Sequence, residues 1–472
     1  MHRIRTDLLV IGAGSGGLSV AAGAARMGAD VTLLEGGKMG GDCLNYGCVP
    51  SKALLAAARA AHAQRESDAF GIAPARPQVD YGAVMAHVAG VIARIAPVDS
   101  QERFEGLGVR VIREYGRFIS AREVQAGDTA IVARRIVIAT GSSPLVPPIP
   151  GLDMVPYLTN ETLFDLRERP DHLLIAGGGP IGMEMAQAHV RLGARVTVIE
   201  GDRILNRDDP DLAQVVRDRL TAEGVEIVEG AMLEELRRTQ TGIEAVTAGG
   251  RRFHGSHLLI TLGRRANTGG LNLGAAGIET TKSGVAVDDR LRSTNRRVYA
   301  IGDVAGGPQF THVAGYHAGL VIRSALFGLP SRTRTGHIPR VTYTDPELAQ
   351  IGLGEADARQ RYGDRLEVAR FDFAENDRAT AERRTAGFIK VLVVRGRPVG
   401  VSIVGHQAGE LIGLWSLVLA NRLKLRDVAA MVSPYPTYGE VNKRAAGAYF
   451  APRLFQSRTV KRVVGLIQKW LP

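Results

Sequence analysis

Apolar residues run almost unbroken from Thr6 to Ile11 and stop at a glycine cluster, Gly12-Ala13-Gly14-Ser15-Gly16-Gly17. Small and apolar residues then keep a helical spacing to about Gly28, and a second short apolar run covers Asp30 to Glu35. Continuous apolar runs mark strands buried on both faces, so this order predicts strand, tight turn, helix and strand, a βαβ start. The pattern returns at Leu173 to Ala176, followed by Gly177-Gly178-Gly179-Pro180-Ile181-Gly182, a helix to about Leu192 and a strand from Arg195 to Glu200. In both copies an acid lies eighteen residues past the last glycine, Gly17 to Glu35 and Gly182 to Glu200. Gly12 permits the turn, Gly14 lets a pyrophosphate approach the backbone, Gly17 lets helix and strand pack, and Glu35 can bind ribose hydroxyls. Gly177, Gly179, Gly182 and Glu200 repeat those roles, which predicts two dinucleotide sites in one chain.

Ile136 to Ser142 reads as a buried strand ending in a glycine turn, after which Pro144, Pro147, Pro148 and Pro150 mark a linker. From about Gly336 the pattern changes. Ile338 to Glu347, Gly387 to Val391 and Val399 to Val404 read as strands of an antiparallel sheet, with helices at about Glu410 to Leu423 and Val441 to Tyr449. At the end of the chain Val460, Val463, Val464, Ile467, Trp470 and Leu471 share one helical face, with Arg458, Lys461, Arg462 and Lys469 elsewhere. That is a basic amphipathic helix, suited either to packing on its own dimer or to peripheral contact with an anionic membrane.

A chain of 472 residues suggests about three domains, and abundant glycine with few aromatics suits an α/β protein. The net charge of +11 comes from scattered arginines with no basic run interleaved with aromatics, which argues against a nucleic-acid partner. A basic surface instead gathers anionic cofactors. Leu8 to Ala25 is uncharged and follows His2, Arg3 and Arg5 as a signal peptide would. Its glycines read as strand, turn and helix instead, so the expected location is the reducing cytoplasm.

The only cysteines, Cys43 and Cys48, stand five positions apart on a turn that runs into an alanine-rich helix. Closing so short a loop restrains the unfolded chain by only roughly 2 kcal/mol, little for a core this large, which favours a redox role over a structural staple. The helix start favours a thiolate at Cys48. Spacing alone fits a pair of buried reduced cysteines equally well. The whole segment, Gly40-Gly41-Asp42-Cys43-Leu44-Asn45-Tyr46-Gly47-Cys48-Val49-Pro50-Ser51-Lys52, resembles the signature GG[TD]CLNxGCxPSK of the class I pyridine nucleotide-disulfide oxidoreductases. Thr140-Gly141-Ser142 resembles that family's crossover motif, and Thr294 to Asp303 its second flavin fingerprint.

The resemblance implies two Rossmann-like dinucleotide-binding domains and an α+β C-terminal dimerisation domain. Residues 1–147 and 264–334 would bind FAD, 148–263 would bind NAD(P), 335–450 would form the interface of a homodimer, and 451–472 the amphipathic helix. Gly12, Gly14, Gly17, Glu35, Lys52, Thr140, Gly141, Ser142 and Asp303 are assigned to FAD, with Gly116 near the adenine and Thr311-His312 near the flavin ring. Gly177, Gly179, Gly182, Glu200 and Gly263 are assigned to the nicotinamide nucleotide. Electrons would pass from NAD(P)H through FAD to a Cys43–Cys48 disulfide, with Cys48 nearer the flavin and Cys43 meeting the acceptor. Lys52 would sit by the flavin and pair with Glu184. Glu200 accepts hydrogen bonds from both ribose hydroxyls and repels a 2′-phosphate, favouring NAD over NADP, although Arg203 offsets part of that repulsion.

Disulfide-reducing members of the family carry a His-Pro-Thr-x-x-Glu segment donated across the dimer, its histidine serving as acid and base. Here the segment reads Tyr435-Pro436-Thr437-Tyr438-Gly439-Glu440. Tyr435 and Glu440 would line the acceptor pocket, but a tyrosine titrating near 10 stays protonated at neutral pH and cannot shuttle a proton. Mercuric reductases share that tyrosine, yet the cysteine pair they carry at the C-terminus is missing here. No resident metal is implied. Three readings follow: a flavin enzyme reducing a disulfide, metal ion or electrophile, akin to the mercuric reductase branch; a dihydrolipoamide dehydrogenase; or a membrane-associated redox sensor.

Overall fold

The computed structural model describes residues 2–471, which fall into two compact units, residues up to 201 with 230–333, and 202–229 with 334–471. The first unit opens with β1 (His2–Ile11), α1 (Ser15–Arg26), β2 (Val31–Leu34), α2 (Cys48–Arg65), α3 (Tyr81–Ile95) and β3 (Thr129–Ile138). Its main sheet has the order Val109–Ile112, β2, β1, β3, Glu123–Ala126, Gly116–Ser120. β1 pairs in parallel with β2 and β3, setting Leu8 opposite Val31 and Arg135. Leu8, Leu9, Val10 and Ile11 are all buried, as a strand covered on both faces requires.

A second parallel sheet carries the repeat. It comprises β4 (His172–Ala176), followed by α4 (Pro180–Arg191), β5 (Arg195–Ile199) and β6 (His257–Ile260), with β4 between the other two. A short strand β7 (Val298–Ala300) joins β3 in parallel and leads towards α5 (Thr311–Ala325). The uncharged stretch from Leu8 to Ala25 is therefore strand, turn and helix, with the apolar face of α1 buried through Leu18, Val20, Ala21 and Ala24.

The second unit holds a five-stranded antiparallel sheet of β8 (Arg340–Thr342), β9 (Glu347–Gly352), β10 (Leu366–Asp372), β11 (Phe388–Val394) and β12 (Arg397–Gly405), in the order β8-β9-β12-β11-β10. The sequence pattern missed β10, where only Leu366 and Ala369 are buried and Glu367, Arg370 and Asp372 break up the apolar run. Helices α6 (Ala408–Ala420) and α7 (Glu440–Phe455) follow, and a separate α8 (Arg458–Trp470) comes last. Trp415 of α6 is fully buried and donates to Asn442 Oδ1 at 2.8 Å, locking α6 to α7. Residues 202–229, expected with the nicotinamide segment, group with this unit. Lys390 explains much of that, since its ammonium lies 2.8 Å from Asp209, 2.9 Å from Asp211 and 2.8 Å from Glu355.

Candidate active site

Both glycine turns have the same construction. A Cβ on Gly12 (φ +106°) would lie 2.4 Å from the Ala139 carbonyl oxygen, and one on Gly17 only 1.9 Å from that of Gly12. A Cβ on Gly14 would meet nothing within 4 Å, which leaves open space before the first turn of α1. In the second turn Gly177 (φ +110°) faces Thr261 O at 2.7 Å, Gly182 faces Gly177 O at 2.1 Å, and Gly179 is again open. Two glycines in each copy are thus fixed by backbone contact, and the middle one leaves room for a pyrophosphate at the helix N-terminus. Glu35 accepts hydrogen bonds from Ala13 N and Gly37 N, both at 2.7 Å, and Glu200 accepts one from Gly178 N at 2.6 Å. Each carboxylate therefore stands at the rim of its own turn. The two cradles fit FAD and a nicotinamide dinucleotide.

The crossover residues form a polar cluster. Gly141 takes φ +67°, Thr140 Oγ1 donates to Asn267 O at 2.7 Å, and Asn267 Nδ2 donates to Thr140 O at 3.0 Å. Ser142 Oγ donates to Asp303 at 2.5 Å and accepts from Arg264 Nε at 2.7 Å. Burial pushes the Asp303 carboxyl up, against the pull of Ser142 and Arg264. Arg264 also pairs with Asp42 at 3.2 Å, and Asn160 donates to Asp42 at 3.0 Å, tying the cysteine loop to this cluster. Asp42 and Asn160 were not singled out by the sequence, and only the position of Asp42 beside Cys43 hinted at a role. Gly116 opens the strand Gly116–Ser120, where a Cβ would press on Leu34 at 2.7 Å, and Gly263 (φ +123°) accepts a bond from Leu145 N at 2.9 Å.

Gly40 and Gly41, both left-handed, turn the chain into a short helix bearing Cys43, and Cys48 is the first residue of α2. The two sulfurs are not bonded to each other, and Cys43 is half-buried. Cys48 Sγ lies 3.3 Å from Thr311 Oγ1 on α5. A hydrogen bond from Cys43 is the main force bringing the Cys48 thiol down to about 6; burial opposes it, and Thr311 and the Lys52 charge assist. The same bond, with burial, pushes the Cys43 thiol far up. Deprotonation therefore falls first on Cys48, the sulfur at the helix start. Lys52, one turn further along α2, places Nζ 2.8 Å from Oε2 of the buried Glu184 on α4. His312 stacks on Phe310 with ring centres 5.2 Å apart. Cys43 lines a cavity with Ser15, Ser19, Asp99, Arg103 and Thr311.

Cys43, Cys48, Lys52, Glu184 and Thr311 thus come together within the first unit. Tyr435 and Glu440 belong to the second. There the exposed Tyr435 donates its hydroxyl to Asp377 at 2.8 Å, and that carboxylate holds the phenol above its ordinary range. Glu440 begins α7 and lies 3.9 Å from Arg444.

The family model for pyridine nucleotide-disulphide oxidoreductases matches residues 6–318. The chain belongs to that family. The dimerisation-domain model of the same family matches residues 338–446, which supports a homodimer. This pyridine nucleotide-disulfide oxidoreductase is 34% identical to a mercuric reductase of Streptomyces lividans, over 94% of the chain and 96% of that relative. It is also 34% identical to a dihydrolipoyl dehydrogenase of Bacillus subtilis, with the same coverage of each. Among solved structures, LpdA from Mycobacterium tuberculosis superposes with a TM-score of 0.86 at 26% identity, covering 95% of this chain and 99% of that one. The Cu(II) complex of the HOCl-induced flavoprotein disulfide reductase RclA from Escherichia coli gives 0.83 at 27% identity, covering 93% and 99%. The oxidoreductase is accordingly a flavoprotein that uses FAD and a nicotinamide nucleotide.

Proposed function

We propose that this oxidoreductase takes electrons from NADH and delivers them, through the Cys43–Cys48 pair, to a thiophilic metal ion or small electrophile in the cytoplasm. Bound FAD supplies the relay between a two-electron hydride donor and the sulfur pair. The FAD cradle is Gly12, Gly14, Gly17 and Glu35, with Thr140, Gly141, Ser142, Asp303, Thr311 and His312 along its length and Gly116 at the adenine end. The nicotinamide cradle is Gly177, Gly179, Gly182 and Glu200, closed by Gly263. Glu200 carries the preference for NADH, because a carboxylate at the ribose rim repels a 2′-phosphate.

Lys52 sets a positive charge beside Cys48, and Glu184 limits the cost of that charge in a partly buried place. Thr311 and Cys43 steady the Cys48 thiolate by hydrogen bonds. Cys43 faces the cavity and presents its sulfur to the acceptor. Tyr435 and Glu440 serve the acceptor side of a partner subunit's cysteine pair.

The observation that carries this reading is the Tyr435 hydroxyl committed to Asp377. Reducing a disulfide releases thiolates that need protons, whereas reducing a metal ion held by two sulfurs needs none at the acceptor. A tyrosine that keeps its proton and already spends it in a hydrogen bond to a carboxylate suits the second task. Relatives named dihydrolipoyl dehydrogenase support a second reading, lipoamide turnover, which Tyr435 opposes. Anaerobic titration with NADH, then a panel of lipoamide, glutathione disulfide, Hg(II), Cu(II) and quinones, separates the two. Rapid metal reduction with slow disulfide turnover is expected; rapid lipoamide reduction overturns the proposal, and slow turnover of every acceptor would point to a redox sensor.

A further inference from the structure

Helix α8 lies beyond the 338–446 stretch matched by the dimerisation-domain model. Its start is anchored. Tyr449 of α7 donates to Glu367 Oε1 at 3.0 Å, and Arg453 in the last turn pairs with the same carboxylate and covers the Tyr449 ring. Ser457 then caps α8 by accepting from Val460 N at 3.3 Å. Along the thirteen residues that follow, nothing is buried. Val463, Val464, Ile467 and Trp470 lie within one stripe about 120° wide and are 47%, 50%, 44% and 84% exposed. Arg458, Lys461, Arg462 and Lys469 flank or oppose that stripe, and no carboxylate occurs between Gln456 and Leu471.

We propose that α8 docks this oxidoreductase on the surface of an anionic phospholipid bilayer, with the apolar stripe in the acyl boundary and the four cations among the headgroups. Charge decides the occupant. An apolar stripe bordered only by cations complements a negatively charged interface, while two copies of α8 packed on each other would set four cations against four. Trp470 sits at the distal end of the stripe, and tryptophan rings settle at the headgroup level. At thirteen residues α8 is about 20 Å long, too short to span and long enough to lie flat.

The test uses full-length holoenzyme with vesicles of phosphatidylcholine alone or with 30% phosphatidylglycerol. Flotation should recover at least about tenfold more protein on the anionic vesicles, and added salt should reduce that recovery. Trp470 emission should shift to the blue, against the constant signal of the buried Trp415. The variant Val464→Glu/Ile467→Glu should lose binding by about tenfold or more with NADH-dependent turnover unchanged, and Trp470→Phe should remove the shift. Equal recovery on both vesicles, or none, overturns the proposal. So does a change from dimer to monomer in the glutamate variant, which would show the stripe covered by a second copy.

Discussion

The hydroxyl of Tyr435 donates a hydrogen bond to Asp377 across 2.8 Å. The family segment that Tyr435 to Glu440 resembles has a histidine at this position, and a histidine titrates near 6.5 and can both take and return a proton. Tyr435→His should therefore raise NADH-dependent lipoamide turnover by about 10²-fold, the lower end of what a positioned acid-base group contributes. Steady-state assays on purified dimer give the answer, and an unchanged rate would mean that Tyr435 does not limit disulfide chemistry.

The two thiols should be distinguishable by pH. Alkylation of the reduced protein, followed by peptide mapping, should show Cys48 reacting with a midpoint near pH 6 and Cys43 reacting only at far higher pH. Because the bond from Cys43 is the largest influence on Cys48, Cys43→Ala should move the Cys48 midpoint up toward the ordinary thiol value of about 8.5. A Cys48 midpoint unaffected by that change would assign its reactivity to the helix start alone.

Lys52→Met should destabilise the protein by about 1–3 kcal/mol, because it removes the ammonium 2.8 Å from the buried carboxylate of Glu184. The figure stays below that for a fully enclosed pair because the Lys52 side chain is 37% exposed. Urea unfolding of the holoenzyme measures it, and Lys52→Met/Glu184→Leu should recover part of the loss.

Lys390 is enclosed more fully. Burial works against its ammonium, but the bonds to Asp209, Glu355 and Asp211 outweigh that and hold its charge firmly. Lys390→Met strands Asp209, whose side chain is 2% exposed, and should cost about 3–5 kcal/mol of unfolding free energy. A loss below 1 kcal/mol would mean that the carboxylates find water.

His189 on α4 is fully enclosed; its Nδ1 lies 2.8 Å from Met185 O and its Nε2 3.1 Å from the Tyr81 hydroxyl. Burial brings its imidazole down from 6.5 to about 4. The unfolded chain then binds a proton that the folded one refuses, so stability contributed above pH 6.5 is lost as pH falls from 6.5 towards 4, by roughly 3 kcal/mol in total. His189→Leu should flatten that stretch of the stability curve, as read by thermal unfolding at fixed pH steps.

The βαβ starts and the cysteine pair were legible in the sequence because they are local. Gly17 answers to the carbonyl of Gly12 within the same turn, and the cysteines and Lys52 share one loop and one helix. The antiparallel character of the last unit was legible too, though strand β10 was lost among its polar residues. What the linear order could not hold were relations set by packing between distant segments: Asp377 accepting the hydrogen bond of the Tyr435 hydroxyl, Asn160 and Arg264 gripping Asp42, and residues 202–229 joining the last unit through Lys390. Residue type and spacing fix what a turn can do, whereas the partner of a buried charge depends on which surfaces the core brings face to face.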